Sequence, residues 1–225
     1  MDKLFNMDNK FFSMMGRAAD LMILNIVFII CCLPIVTIGA SLTALHYVTL
    51  KMVRNEESYI VKSFFKSFKQ NFKQATIINL IMLLFGGLLY LDLNIINNMS
   101  GSMASVLHVL FIAFVYFVIF LYLYPVLAKF YNTIKHTFRN AFLMSIRHLP
   151  YTVLMALITA APVAIFFIPT AQVQSIVLLL FILMGFSLEA FINGHFLVKI
   201  FDNYIIETPS KTSDTEESSE QTPAV

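Results

Sequence analysis

Few residues in this chain have the type and placement to do chemistry. Glu189 lies inside the last long apolar run, ten residues before Lys199. Ten helical residues rise about 15 Å, which puts this carboxylate near the centre of a bilayer. Gly185, Glu189 and Asn193 recur at every fourth position and so share one helical face. An ionisable group at that depth is costly and is a site candidate, with a proton or solute path as the lesser of its two uses. Its alternative use is an inter-helix hydrogen bond, with Asn25 or Asn79 as candidate partners. Asp92 and His108 flank the short turn at 97–102 at similar depth. They either neutralise each other across that turn or reach the interface independently.

No catalytic arrangement accompanies these groups. There is no glycine-rich phosphate loop ending in Gly-Lys-Ser/Thr, no Gly-x-Ser-x-Gly elbow and no His-Glu-x-x-His pair. His46, His108, His136, His148 and His195 are scattered, with none four residues from another. Cys31 and Cys32 are adjacent, so their side chains diverge and lack the spacing of metal ligands or of a redox pair. The expectation is a protein that is not an enzyme, with no catalytic residue, no cofactor and no metal.

The elements that hold these groups follow from hydropathy. Of 225 residues, 59% are hydrophobic and 12% charged, and mean hydropathy is +0.79. A soluble domain carries about 25% charged residues, so the chain reads as an integral membrane protein and not as a nucleic-acid binder. The first twenty residues lack the layout of a cleaved signal, and the N-terminus reads as retained. Long apolar runs predict spans at about 75–96, 104–128, 151–168 and 172–198. Leu21–Leu50 is thirty residues without Asp, Glu, Lys or Arg, interrupted by Pro34 and Gly39. It predicts two short spans, about 18–33 and 39–53, which either cross the membrane as a pair or turn back within it.

Charge sets the sidedness. Lys51, Arg54, Lys62, Lys66, Lys69 and Lys73 fall in one connection, and Lys129, Lys135, Arg139 and Arg147 in another, while the turns at 97–102 and 169–174 carry no charge. By the positive-inside rule both basic connections face the cytoplasm. An opening hairpin that leaves and returns to the same face then places all fifteen Lys and Arg residues inside. The expected fold is all-α and polytopic, with about six spans and both termini cytoplasmic. Pro34 breaks the helix, Gly39 is suited to a turn, and Thr37, Ser41 and Thr43 can satisfy the freed backbone groups.

Within the first basic connection, Val61, Phe64, Phe65, Phe68 and Phe72 follow helical spacing, with Lys62, Lys66, Lys69 and Lys73 beside them. This predicts a basic amphipathic helix over about 58–74, lying in the interface and suited to anionic lipids or a docking partner. A similar helix is predicted over about 131–148, with Tyr131, Ile134, Phe138, Phe142 and Ser145 on one face. Matching Phe64 to Phe142, Ser67 to Ser145 and Lys69 to Arg147 suggests a parallel repeat. Residues 1–206 thus form a single membrane-embedded helical domain. The stretch 207–225 is polar, acidic and without aromatics, and is expected to be a disordered tail.

The opening stretch LPIVTIGASLTALHYVTLKMVRNEE, followed by VKSFFKSFKQNFKQ, resembles the YesL family of bacterial membrane proteins. Pro34, Thr37, Gly39, Ala44, Glu56, Glu57, Phe64, Phe65, Phe68 and Phe72 carry the likeness. It is most specific over about residues 15–85, with a similar general layout to residue 205. A Trp often found in the family's first span is absent, as Trp is from the whole chain. The resemblance implies a bacterial cell membrane location and brings no catalytic residue with it. Family members are encoded beside carbohydrate-uptake ABC transporters and polysaccharide-degrading enzymes. It therefore implies a non-enzymatic accessory or scaffold protein that contacts ABC transporter subunits. The alternative is a small homo-oligomeric transporter of a sugar or ion, using a polar route near Glu189. An ABC permease subunit ranks last, because Asn140–Pro150 lacks the acidic-Ala-Ala start and the glycine of an ATPase-coupling loop.

Overall fold

A computed structural model describes residues 10–56, 59–98, 103–166, 168 and 170–204. The acidic tail 207–225, Lys3, Glu57 and most of the turn at 97–102 lie outside the described residues. The elements are α1 (Lys10–Cys32), a 3-10 turn (Ile35–Thr37), α2 (Ile38–Val53), α3 (Ile60–Asn98), α4 (Met103–Lys129), α5 (Ile134–Arg147), α6 (Leu149–Phe166), α7 (Ala171–Leu180), a π turn (Phe181–Gly185) and α8 (Phe186–Asp202). No strand occurs among the described residues. Among the described residues, five helical runs are long and apolar enough to cross a membrane. The pair α5 and α6, bent by 101°, makes a sixth if it counts as one broken span. This is an all-α polytopic membrane protein.

The core is organised around α2. Its residues Ala40, Ser41, Thr43 and Ala44 are wholly buried, because small side chains let α1, α3, α4 and α8 approach its backbone. One cluster joins Leu24, Val48 and Phe64 from α1, α2 and α3. A second joins Tyr122, Leu123, Leu197 and Phe201 from α4 and α8. The far halves of α3 and α4 leave this core and present large apolar side chains outward, Leu84 at 65% exposure and Phe111 at 67%. Such surface suits lipid. The end of α2 is closed by Asn55 at φ 57°, whose N–H donates to the Met52 carbonyl while that of Glu56 donates to Lys51. Arg17 donates to the Asn55 side chain at 2.7 Å, and Arg54 pairs with Asp202. These bonds tie α1, α2 and α8 together at the charged end.

Two features of the connections differ from the sequence expectation. Residues 58–74 do not form a helix separate from the span at 75–96: α3 runs unbroken from Ile60 to Asn98. No Pro or Gly interrupts it before Gly86, so nothing opens its backbone ladder at the membrane boundary. The second amphipathic helix, α5, is separate and turns sharply into α6. Thr152 covers the carbonyls opened by that bend, donating to Ser145 at 2.8 Å and His148 at 3.1 Å, and accepts from Tyr122 at 2.8 Å. The buried face of α5 is Thr137, Ala141, Met144 and Ser145, while Phe142 points outward and Tyr131 precedes the helix. One unit continuous and the other bent by 101° do not make a structural repeat.

The depth of the first hairpin follows from its bonds to α3. Asn79 donates to the Ile35 carbonyl at 3.2 Å and Thr76 to Val36 at 3.4 Å. The tip is therefore held one turn past Lys73. Beyond it, α3 continues from residue 79 to 98, a rise of about 28 Å. Were the tip at the far headgroups, the exposed Lys62, Lys66, Lys69 and Lys73 would lie in hydrocarbon, at about 2.5–3.5 kcal/mol each. The hairpin is expected to turn back within the membrane. A spin label on Val36→Cys, with Cys31 and Cys32 replaced by Ala, should report a depth in the half of the bilayer nearer those lysines. A label at the opposite headgroups would refute this.

Candidate functional site

A cavity of about 700 Å³ opens between α1, α2, α4, α6 and the run α7–α8. Glu189 and Asn193 reach it from α8, Thr159 from α6, His46 from α2 and Tyr124 from α4. Glu189 and Asn193 are four residues apart on one α-helix, so they face the same way. Asn193 donates a side-chain N–H to Thr159 Oγ1 at 3.2 Å, which sets Thr159 beside Glu189 in the cavity wall. Neither Asn25 nor Asn79 lines that cavity. Asn193 is 4% exposed, and its Oδ1 is buried without a hydrogen-bond partner, as is His46 Nδ1. The rest of the wall is mostly apolar and aromatic, with Phe28, Phe120, Phe181 and Phe186 prominent.

The two asparagines considered as partners hold backbone instead. Asn25, fully buried on α1, donates to the Phe181 and Ile182 carbonyls at 2.9 and 2.8 Å and accepts from the Ser187 N–H at 3.0 Å. These groups lie in and just after the π turn, where the backbone departs from the α hydrogen-bond pattern. Asn79 donates to Ile35 and accepts from the Tyr124 hydroxyl at 3.1 Å. Gly185 does not make room for a neighbouring helix: a Cβ there would meet the Phe181 ring of its own turn at 2.7 Å. The π turn has no signature in the sequence. Thr159 had a usable one, since it lies ten residues into α6 as Glu189 lies ten residues before Lys199.

Other expected site residues are dispersed. Asp92 and His108 are exposed, and no ion pair joins them among the described residues. Asp92 lines a separate groove between α3 and α4 with Tyr116. On the first half of α3, Lys62, Lys66, Lys69 and Lys73 face outward with Val61, Phe65 and Phe72. Phe64, at 0% exposure, is a core residue, and Phe68 is half-buried against it. The aromatic stripe is thus divided, because the helix buries the line through Ile60, Phe64 and Ser67. Phe64 and Phe68 fix the lysine face of α3 without belonging to it. Among the described residues, no three His, Cys, Asp or Glu side chains group closely enough to hold a metal ion.

The Pro34–Gly39 turn is built differently from a glycine-dependent bend. Helix α1 ends at Cys32. The Thr37 hydroxyl lies 2.6 Å from the Cys31 carbonyl and 2.7 Å from that of Pro34, which also accepts from the Thr37 N–H, and so bridges the end of α1 to the turn. Ser41 donates to the Thr37 carbonyl at 3.0 Å and Thr43 to Gly39 at 2.8 Å. Gly39 is helical, and no described glycine has positive φ. Its role is close approach: a Cβ would stand 2.5 Å from the Ala75 carbonyl oxygen and 2.7 Å from Asn79 Cβ.

Residues 21–93 match the family model described as protein of unknown function, DUF624, which is the YesL family. The chain carries a YesL-family segment. No curated protein and no solved structure matches it. The YesL segment runs from Leu21 in α1, through the proline turn and α2, to Leu93 in α3. It contains the packed hairpin and the lysine face of α3. Of the polar groups in the cavity, His46 belongs to the YesL segment, while Tyr124, Thr159, Glu189 and Asn193 lie beyond it.

Proposed function

We propose that this protein is a non-enzymatic membrane accessory of a bacterial carbohydrate ABC uptake system, with both termini cytoplasmic and the first half of α3 as its docking face. The observation that supports this is the two-sided character of that helix. Its inner face is fixed in the core by Phe64 and Ser67, at 0% and 1% exposure. Its outer face presents four lysines around Phe65 and Phe72. A rigid basic face with apolar anchors suits an acidic, partly apolar partner surface. The YesL segment supports a permease subunit as that partner. Mild solubilisation at native expression should co-purify a permease subunit. Replacing Lys62, Lys66, Lys69 and Lys73 by Glu together should reduce recovery at least tenfold while the protein still reaches the membrane. Recovery of the wild-type chain alone would reject the reading, and unchanged recovery with the variant would reject the face.

A second reading is favoured by the cavity, which joins Glu189, Asn193, Thr159 and His46 within the membrane. In it the protein is a small oligomeric transporter of a sugar or ion. Flux into liposomes containing purified protein would support it, and inert liposomes across a broad substrate panel would reject it.

A further inference from the structure

We propose that the cavity beside Glu189 binds a small organic cation, a primary ammonium carrying an apolar group. This deepens the second reading by naming a ligand class, and it is independent of the docking face on α3. The volume of about 700 Å³ is within the range of small-molecule sites, and a position between bundle helices is where such sites form.

The class follows from which hydrogen-bonding capacities are already used. One Asn193 amide N–H is given to Thr159 and the Tyr124 hydroxyl to Asn79. What is left over is mainly acceptor capacity, the Glu189 carboxylate and the buried, unpartnered Oδ1 of Asn193, against the second Asn193 N–H and the Thr159 hydroxyl. A buried acceptor without a donor is costly, and a ligand that supplies the donor recovers that cost. His46 Nδ1 is unpartnered as well, and accepts or donates according to its tautomer.

An ammonium group meets these conditions. It gives three N–H donors and the countercharge that Glu189 lacks, since no cation pairs with that carboxylate among the described residues. Phe28, Phe120, Phe181 and Phe186 line the same space, offering ring faces to the charge and apolar surface to the substituent. A sugar fits less well. Its hydroxyls could donate to the same acceptors, but it brings no countercharge to Glu189, and its several oxygens would share only the second Asn193 amide N–H, the Thr159 hydroxyl and the single ring N–H of His46. Each oxygen left dry in the cavity would count against binding.

The test uses the full chain in nanodiscs, with protein-free nanodiscs subtracted to remove partition into lipid. Equilibrium dialysis against phenethylammonium and its neutral counterpart 2-phenylethanol should show saturable, one-to-one binding of the cation and at least tenfold weaker binding of the alcohol. Glu189→Gln should weaken cation binding at least tenfold and leave the alcohol unchanged. Where that variant fails to fold, the wild-type comparison of the two probes decides. Equal affinity for the two probes, absence of saturable cation binding, or full affinity in a folded Glu189→Gln protein would each overturn the proposal. Saturable binding with no flux in liposomes would keep the site and reject the transport reading alone.

Discussion

Gly39→Ala is expected to lower the thermal midpoint of the purified protein in detergent sharply, by the equivalent of about 3 kcal/mol, at the upper end of what overpacking usually costs. The added methyl would stand 2.5 Å from the Ala75 carbonyl oxygen and 2.7 Å from Asn79 Cβ. Neither can move aside by a rotamer change, because one is backbone and the other is the root of its side chain. The helices α2 and α3 must separate. That separation would loosen Ala40, Ala75 and Ile78, all at 0% exposure, and the bonds of Asn79 to Ile35 and Tyr124. Gly87→Ala supplies the control. Nothing lies within 4 Å of its Cβ position in the same α3, so the better helix former should leave stability unchanged or raise it by about 1 kcal/mol. Equal effects at the two glycines would show that close approach is not what position 39 requires.

The second large effect is expected at Asn25. Its side chain serves the Phe181 and Ile182 carbonyls and the Ser187 N–H, across a separation of more than 150 residues. Asn25→Leu removes the partner of three backbone groups, two part-buried carbonyls and the buried Ser187 N–H. Single inter-helix hydrogen bonds in membrane proteins contribute about 0.6 kcal/mol on average and up to about 1.7, so three lost together predict about 2–4 kcal/mol. Asn25→Asp should be at least as damaging, because its carboxylate would still accept from Ser187 while facing two carbonyl oxygens. Thermal unfolding of both variants checks this. A loss below about 0.5 kcal/mol for Asn25→Leu, less than one average bond of this kind, would mean that the π turn satisfies its own carbonyls. Ser187 reinforces the same junction, donating to Leu21 at 2.7 Å, so the two sites are expected to be non-additive.

These two positions also mark what was legible without coordinates. Pro34 and Thr37 could be read locally: a proline ends the helix, and a hydroxyl three residues later reaches the opened carbonyls. The long apolar runs and the clustering of basic residues were legible for the same reason, since bilayer thickness and charge cost act on each segment separately. At Gly39 the local pattern points to the wrong role. A glycine after a proline suggests a turn, whereas the close contact with Ala75 depends on a helix more than thirty residues away.

The sequence by itself determined the membrane class, the segments apolar enough to span, the YesL-like segment and the carboxylate within the last apolar run. All of these follow from composition over a window or from residues adjacent in the chain. Only the tertiary structure decided that Phe64 is core while Phe65 is surface, that Thr159 meets Asn193, and that Asn25 serves the π turn. Each depends on which face of a helix meets which neighbour. The spacing of apolar residues is weak evidence for that in a membrane, where the lipid-facing side of a helix is as apolar as its buried side.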